Sequence, residues 1–142
     1  MVLTGVFGEE EDFTVAPGKW SIRQIIAHLA DTELVFAGRF RQVIAEDTPP
    51  LLAFNQEKWA VKLDYARRKP KQSLETLRRL RAENYDLLKE LPAGAFDRTG
   101  NHSSDGPITV HQLLERLTNH VEKHAQQMQA IRDAYKRMKA NK

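Results

Sequence analysis

The sequence contains no cysteine, which excludes disulfides, thiolate zinc centres, iron–sulfur clusters and a cysteine nucleophile of its own. Any metal centre must then use nitrogen and oxygen donors, with His, Asp and Glu as the strong ligands. No apolar run approaches the length of a membrane span, and Met1 to Phe7 lead straight into Glu9, Glu10, Glu11 and Asp12, unlike a secretory leader. The chain reads as soluble and cytoplasmic, without a membrane partner. It also lacks an excess of one charge: 22 Lys and Arg against 19 Asp and Glu leave a net charge of +3. Basic residues are interleaved with acids, so no nucleic-acid partner is expected. Even Arg67-Arg68-Lys69-Pro70-Lys71, the densest basic stretch, reads as a solvated linker, and the acidic run at residues 9–12 as a solvated face.

What remains is an ordinary globular composition, 41% apolar and 29% charged over 142 residues. That is enough for a single domain with its own core, spanning residues 1–142. Residues 1–19, with Gly5, Gly8 and Ala16-Pro17-Gly18, read as an irregular lead-in with room for a short helix. Ser21 followed by Gln24 matches a capping box, and Ile22, Ile25, Ile26, Leu29, Phe36, Phe40, Val43 and Ile44 recur at helical spacing until Asp47-Thr48-Pro49-Pro50. The connection from Thr48 to Ser73 is a long crossover in which residues 54–65 form a short helix. Ser73 is read as the cap of a second long helix with Leu74, Leu77, Leu80, Tyr85 or Asn84, Leu87, Leu88 and Leu91 on its core face, ended by Pro92 and Gly94. Residues 93–107 read as a loop. Thr109 with Gln112 caps a last helix whose stripe runs through Val110, Leu113, Leu114, Leu117, Val121, Met128, Ile131 and Tyr135, with a frayed tail at residues 136–142. The fold class is all-α.

Chemistry concentrates in His120-Val-Glu-Lys-His124, where two imidazoles one helical turn apart share a helix face. An isolated pair of this kind is more often structural. Here His124 interrupts the apolar stripe between Val121 and Met128, and His28, near the middle of the first long helix, offers a third nitrogen. Three neutral imidazoles hold Zn, Ni, Fe or Mn ions and leave positions open for water or substrate. Glu33 falls near the centre of an apolar face, which calls for a partner; a buried ion pair and a role beside the metal or in proton transfer are equally consistent with that. Arg39, Arg116 and Gln127 are candidate contacts for a polar or anionic small-molecule substrate. His102, in the loop, is another candidate contact, although an exposed loop histidine is the simpler reading. Asp31 and His111 project away from the core faces and are expected in solvent.

Pro17-Gly18-Lys19-Trp20-Ser21-Ile22-Arg23-Gln24, His28-Leu29-Ala30-Asp31-Thr32-Glu33, Gly100-Asn101-His102 through Gly106-Pro107-Ile108-Thr109, and Asn119-His120-Val121-Glu122-Lys123-His124 together resemble the DinB/YfiT-like superfamily. The likeness runs from about residue 16 to about residue 135. It implies a four-helix bundle whose divalent metal is held by three histidines matching His28, His120 and His124. It further implies a homodimer and, for some relatives, metal-dependent hydrolysis or transfer of a low-molecular-weight thiol such as bacillithiol. A non-catalytic metal-binding or stress-response dimer of the same fold is the alternative. The chain departs from the family pattern before Trp20, where the N-terminal helix is short or irregular. The fourth bundle position is left to a complete helix, to the 54–65 segment or to a partner.

Overall fold

The computed structural model describes residues 8–141. Those residues hold five α-helices in chain order: α1 (Glu9–Asp12), α2 (Ile22–Ala45), α3 (Gln56–Lys62), α4 (Pro70–Lys89) and α5 (Val110–Ala140). Three short strands, β1 (Pro50–Leu51), β2 (Thr99–His102) and β3 (Gly106–Thr109), lie between them. The architecture is the DinB-like four-helix bundle with a long crossover between α2 and α4. Among the described residues the N-terminal helix α1 is a single turn. The residues of the lead-in before position 8 lie outside the described part of the chain. No helix among the described residues is long and apolar enough to cross a membrane.

Both capping boxes form. Ser21 accepts from the Gln24 amide while the Gln24 side chain accepts from Ser21 N–H, and Thr109 and Gln112 repeat the exchange. Each pair satisfies amides that a helix start otherwise leaves free. The start of α4 differs from expectation: Pro70 occupies its first turn and Ser73 is buried one turn in. A proline suits that position because its fixed φ is helical and its missing N–H would have been unbonded there. At the other end of the chain, α5 continues through Ala140, where a frayed tail from residue 136 was expected. Arg137 and Lys139 in its last turn suit the negative end of the helix dipole.

The long central helix α2 is covered on almost every side. Ile22, Ile25, Ile26 and Leu29 pack with Leu77 of α4 and Met128 and Ile131 of α5. Phe36, Phe40 and Val43 pack with Leu88, Leu113 and Leu117 further along. On its back face Ala27 meets Ala60 and Tyr65, so α3 and the 3-10 turn at Tyr65–Arg67 roof the side expected to be open. Asp31 is therefore buried rather than solvated, and accepts a 2.7 Å hydrogen bond from the Tyr65 hydroxyl. Arg68 approaches the same carboxylate at 3.5 Å, so this part of the basic stretch is tied to the fold.

The segment expected as a loop holds a β-ribbon. Strands β2 and β3 pair antiparallel, and β1 of the crossover joins β2 in parallel. Gly100 is required where this ribbon crosses α2, because a Cβ there would lie 2.7 Å from Leu51 Cδ1 and 2.9 Å from Val43 Cγ2. The acidic run is likewise no free surface. Glu10 is buried against Arg132 at 3.1 Å, Glu11 and Asp12 engage Arg23 at 3.0 and 2.7 Å, and Glu9 lies 3.4 Å from Lys139. These pairs fasten α1 across the start of α2 and the end of α5.

Candidate metal centre

His28 comes from the middle of α2 and is completely buried, whereas His120 and His124 come from successive turns of α5 and are half-buried. The packing of α2 on α5 turns all three imidazoles toward one point. Their ring centroids are 4.5 to 5.0 Å apart, and one ligating atom from each lies within 4.8 Å of the others. His28 Nε2 and His120 Nε2 stand 2.9 Å apart. These are the three histidines singled out from the sequence, and the structure brings them together.

Burial favours the neutral form of all three rings. The His28 imidazole is pushed down to about 3 and that of His120 to about 4, first by desolvation and then by the neighbouring imidazoles. His124 is also lowered by burial, against the opposing effect of its hydrogen bond to Gln127. Neutral imidazole is the form that ligates, so the site needs no proton released from these rings to accept an ion at neutral pH. The His124 Nδ1–H donates to Gln127 Oε1 at 2.8 Å, which leaves Nε2 of that ring with its lone pair toward the cluster. His28 is steadied differently: the Trp20 ring stands edge-on to it at 5.1 Å and is itself backed by Tyr65 at 6.2 Å. The Nδ1 atoms of His28 and His120 are buried without a protein partner. Three converging neutral nitrogens with no carboxylate or ammonium among them fit a divalent cation of borderline softness.

The other residues singled out from the sequence fall in different places. Gln127, expected to touch substrate, hydrogen-bonds a candidate ligand instead; its spacing three residues beyond His124 on one helix was the available signal. Glu33 is buried but bonds to none of the histidines. Its Oε1 accepts from Asn84 Nδ2 at 3.2 Å, its Oε2 has no protein partner, and burial raises its carboxyl above the usual range. Arg39, Arg116 and His102 gather at the β-ribbon. Arg39 donates to Leu52 O at 2.8 Å and lies over the Phe36 ring, while Arg116 pairs with Asp105 at 2.8 Å. His102, expected to be exposed, is buried, and its Nδ1 accepts from the Ser104 and Asp105 amides at 3.1 and 3.2 Å. It thus closes the hairpin turn. Arg39 is eleven positions beyond His28, roughly 16 Å along the helix axis. His111 is exposed as expected and pairs with Glu115.

A family model described as the DinB superfamily matches residues 3–128. Among curated sequences, a provisionally named metal-dependent hydrolase of Oceanobacillus iheyensis is 30% identical over 116 residues, 82% of this chain and 66% of the relative. A second from the same organism is 30% identical over 103 residues, 72% of this chain and 59% of the relative. YfiT of Bacillus subtilis, also provisionally named a metal-dependent hydrolase, is 31% identical over 108 residues, 75% and 61% of the respective chains. The chain thus spans between 59% and 66% of the length of these three relatives. In three dimensions it is similar to YfiT of Bacillus subtilis, described as a probable metal-dependent hydrolase with an unusual four-helix bundle topology. The TM-score is 0.78 at 27% identity, covering 96% of this chain and 77% of the other.

Proposed function

The chain belongs to the DinB superfamily, and from that premise we propose that His28, His120 and His124 hold one divalent metal ion that serves hydrolysis of a small molecule. The observation that carries this reading is the convergence of three neutral imidazole nitrogens within 4.8 Å of one another at the α2–α5 contact. Bound in such a site, a divalent ion supplies Lewis acidity and lowers the pKa of a coordinated water toward neutrality. The protein's own part is to fix the three nitrogens. Gln127 sets the tautomer and the plane of His124, and Trp20 closes one side of His28 against solvent. Three protein donors leave open positions on an ion of four- to six-fold preference, which is the condition for catalysis rather than storage. The names of the relatives support hydrolysis; transfer of a low-molecular-weight thiol, expected from the family resemblance, would use the same open position.

Purified protein is expected to carry about one divalent ion per chain by elemental analysis, and His124→Ala to lose it. Unchanged metal content in that variant would overturn the ligand set. Metal-loaded protein is then expected to hydrolyse one member of a panel of small esters, amides and thiol conjugates, with Zn, Ni and Mn compared. Full activity after chelation would overturn metal dependence.

A further inference from the structure

A second concave feature borders the histidines without including them: Val121 in its wall adjoins His120, and Glu33 lies five positions beyond His28. Helices α4 and α5 each pack extensively on α2 but far less on one another. Between them, over Glu33 and Phe40, is a cavity of about 320 Å³. Leu88, Phe96, Leu114, Leu117 and Val121 complete an apolar wall, and Arg81, Tyr85 and Lys89 stand around it on α4. We propose that this cavity binds an apolar primary amine whose ammonium group meets the free Oε2 of Glu33.

Glu33 is only 2% exposed, and its second carboxylate oxygen has no protein partner. A buried carboxylate left in this state costs several kcal/mol unless something supplies the missing donor. Its orientation is not accidental slack. Arg41 donates to Asn84 Oδ1 at 2.9 Å and to Ala37 O at 2.8 Å, which turns the Asn84 amide so that its Nδ2 faces Glu33 Oε1. One carboxylate oxygen is thereby anchored, and the other is buried without a protein partner in a residue that lines the cavity. An ammonium donates to that oxygen through a charge-assisted hydrogen bond, while the apolar walls take up a hydrocarbon body. The volume is at the small end of that of small-molecule sites, about 300–1,000 Å³, which suits a body of a single ring or a short alkyl chain. Arg81 and Lys89 oppose a cation, but both are exposed, so solvent screens them.

Benzylamine and its neutral isosteres benzyl alcohol and toluene are suitable probes. They are titrated into the full chain while the methyl resonances of Leu88, Leu114, Leu117 and Val121 and the ring resonances of the three histidines are followed. Benzylamine is expected to shift the cavity methyls saturably and to bind about tenfold or more tightly than toluene. Glu33→Gln is expected to abolish that preference, and Leu114→Trp, which fills the cavity, to abolish binding of all three. A preference that survives Glu33→Gln overturns the proposal. So do equal affinities for amine and toluene, or shifts confined to the histidine rings. Because the readout is at the cavity methyls, failure here leaves the metal reading standing, and loss of metal leaves this one standing.

Discussion

His28 and His120 do more than await an ion; their depressed basicity is also a statement about the fold. Both folded-state values, about 3 and about 4, lie below the 6.5 of a free imidazole. Between those values and 6.5 the unfolded chain binds more protons than the folded one, so stability rises with pH across that window and is lost as pH falls through it. Each unmatched proton contributes a slope of at most about 1.4 kcal/mol per pH unit. Metal-free protein is therefore expected to lose urea resistance steadily from pH 6.5 down to about pH 4.5. His28→Gln, which removes one titrating group, should have the shallower slope over the same range. Identical slopes for the two proteins would show that His28 does protonate freely in the native state. Above pH 7 the two should run parallel, because neither histidine then changes its protonation on unfolding.

At the scale of elements, α2 explains both what the sequence revealed and what it concealed. The helix itself, its capping box and its inward His28 follow from local spacing, which survives any tertiary arrangement. What lies behind it does not. Asp31 looks solvated on a helical wheel, and only the return of the crossover brings Tyr65 and Arg68 over it. The same limit applies to the β-ribbon, where β1 and β2 are some fifty residues apart and only two residues of β1 take part. His102 and Arg39 were legible as unusual residues, but their bonds to turn amides and to Leu52 O depend on that ribbon. Gln127 was legible as a neighbour of His124, and its role became clear once the imidazole pointed inward. The buried Asp31–Tyr65 bond gives this account a test. Tyr65→Phe keeps the ring against Ala27 and Trp20 but withdraws the donor, at a cost of about 1–3 kcal/mol. Chemical denaturation should show that loss, together with faster proteolysis between residues 52 and 69. A loss in Tyr65→Phe no greater than in an exposed control such as Tyr85→Phe would mean that the crossover is held by packing alone.

For the whole molecule, the consequential feature is where the histidine cluster sits in the topology. His28 belongs to the first long helix and His120 and His124 to the last, so an ion bound by all three bridges segments about ninety residues apart along the chain. The Glu10–Arg132 and Glu9–Lys139 pairs also join distant parts of the chain, but they tie α1 to the later turns of α5, away from the histidine cluster. The unfolded chain cannot hold the three nitrogens together, so metal binding adds to the folding free energy. At free metal a hundredfold above the dissociation constant the gain is about 2.7 kcal/mol, which for a domain of this size raises the melting temperature by roughly 8 °C. Calorimetry of chelated protein, before and after Zn addition, should show that increase, and His124→Ala should show little of it. The pairs between α1 and α5 supply the contrast: Glu10→Gln should lower the melting temperature of both forms alike while leaving the metal-induced increment intact. If the increment instead persisted in His124→Ala, the ion would be bound elsewhere, and the convergence of α2 and α5 on three imidazoles would be packing without ligation.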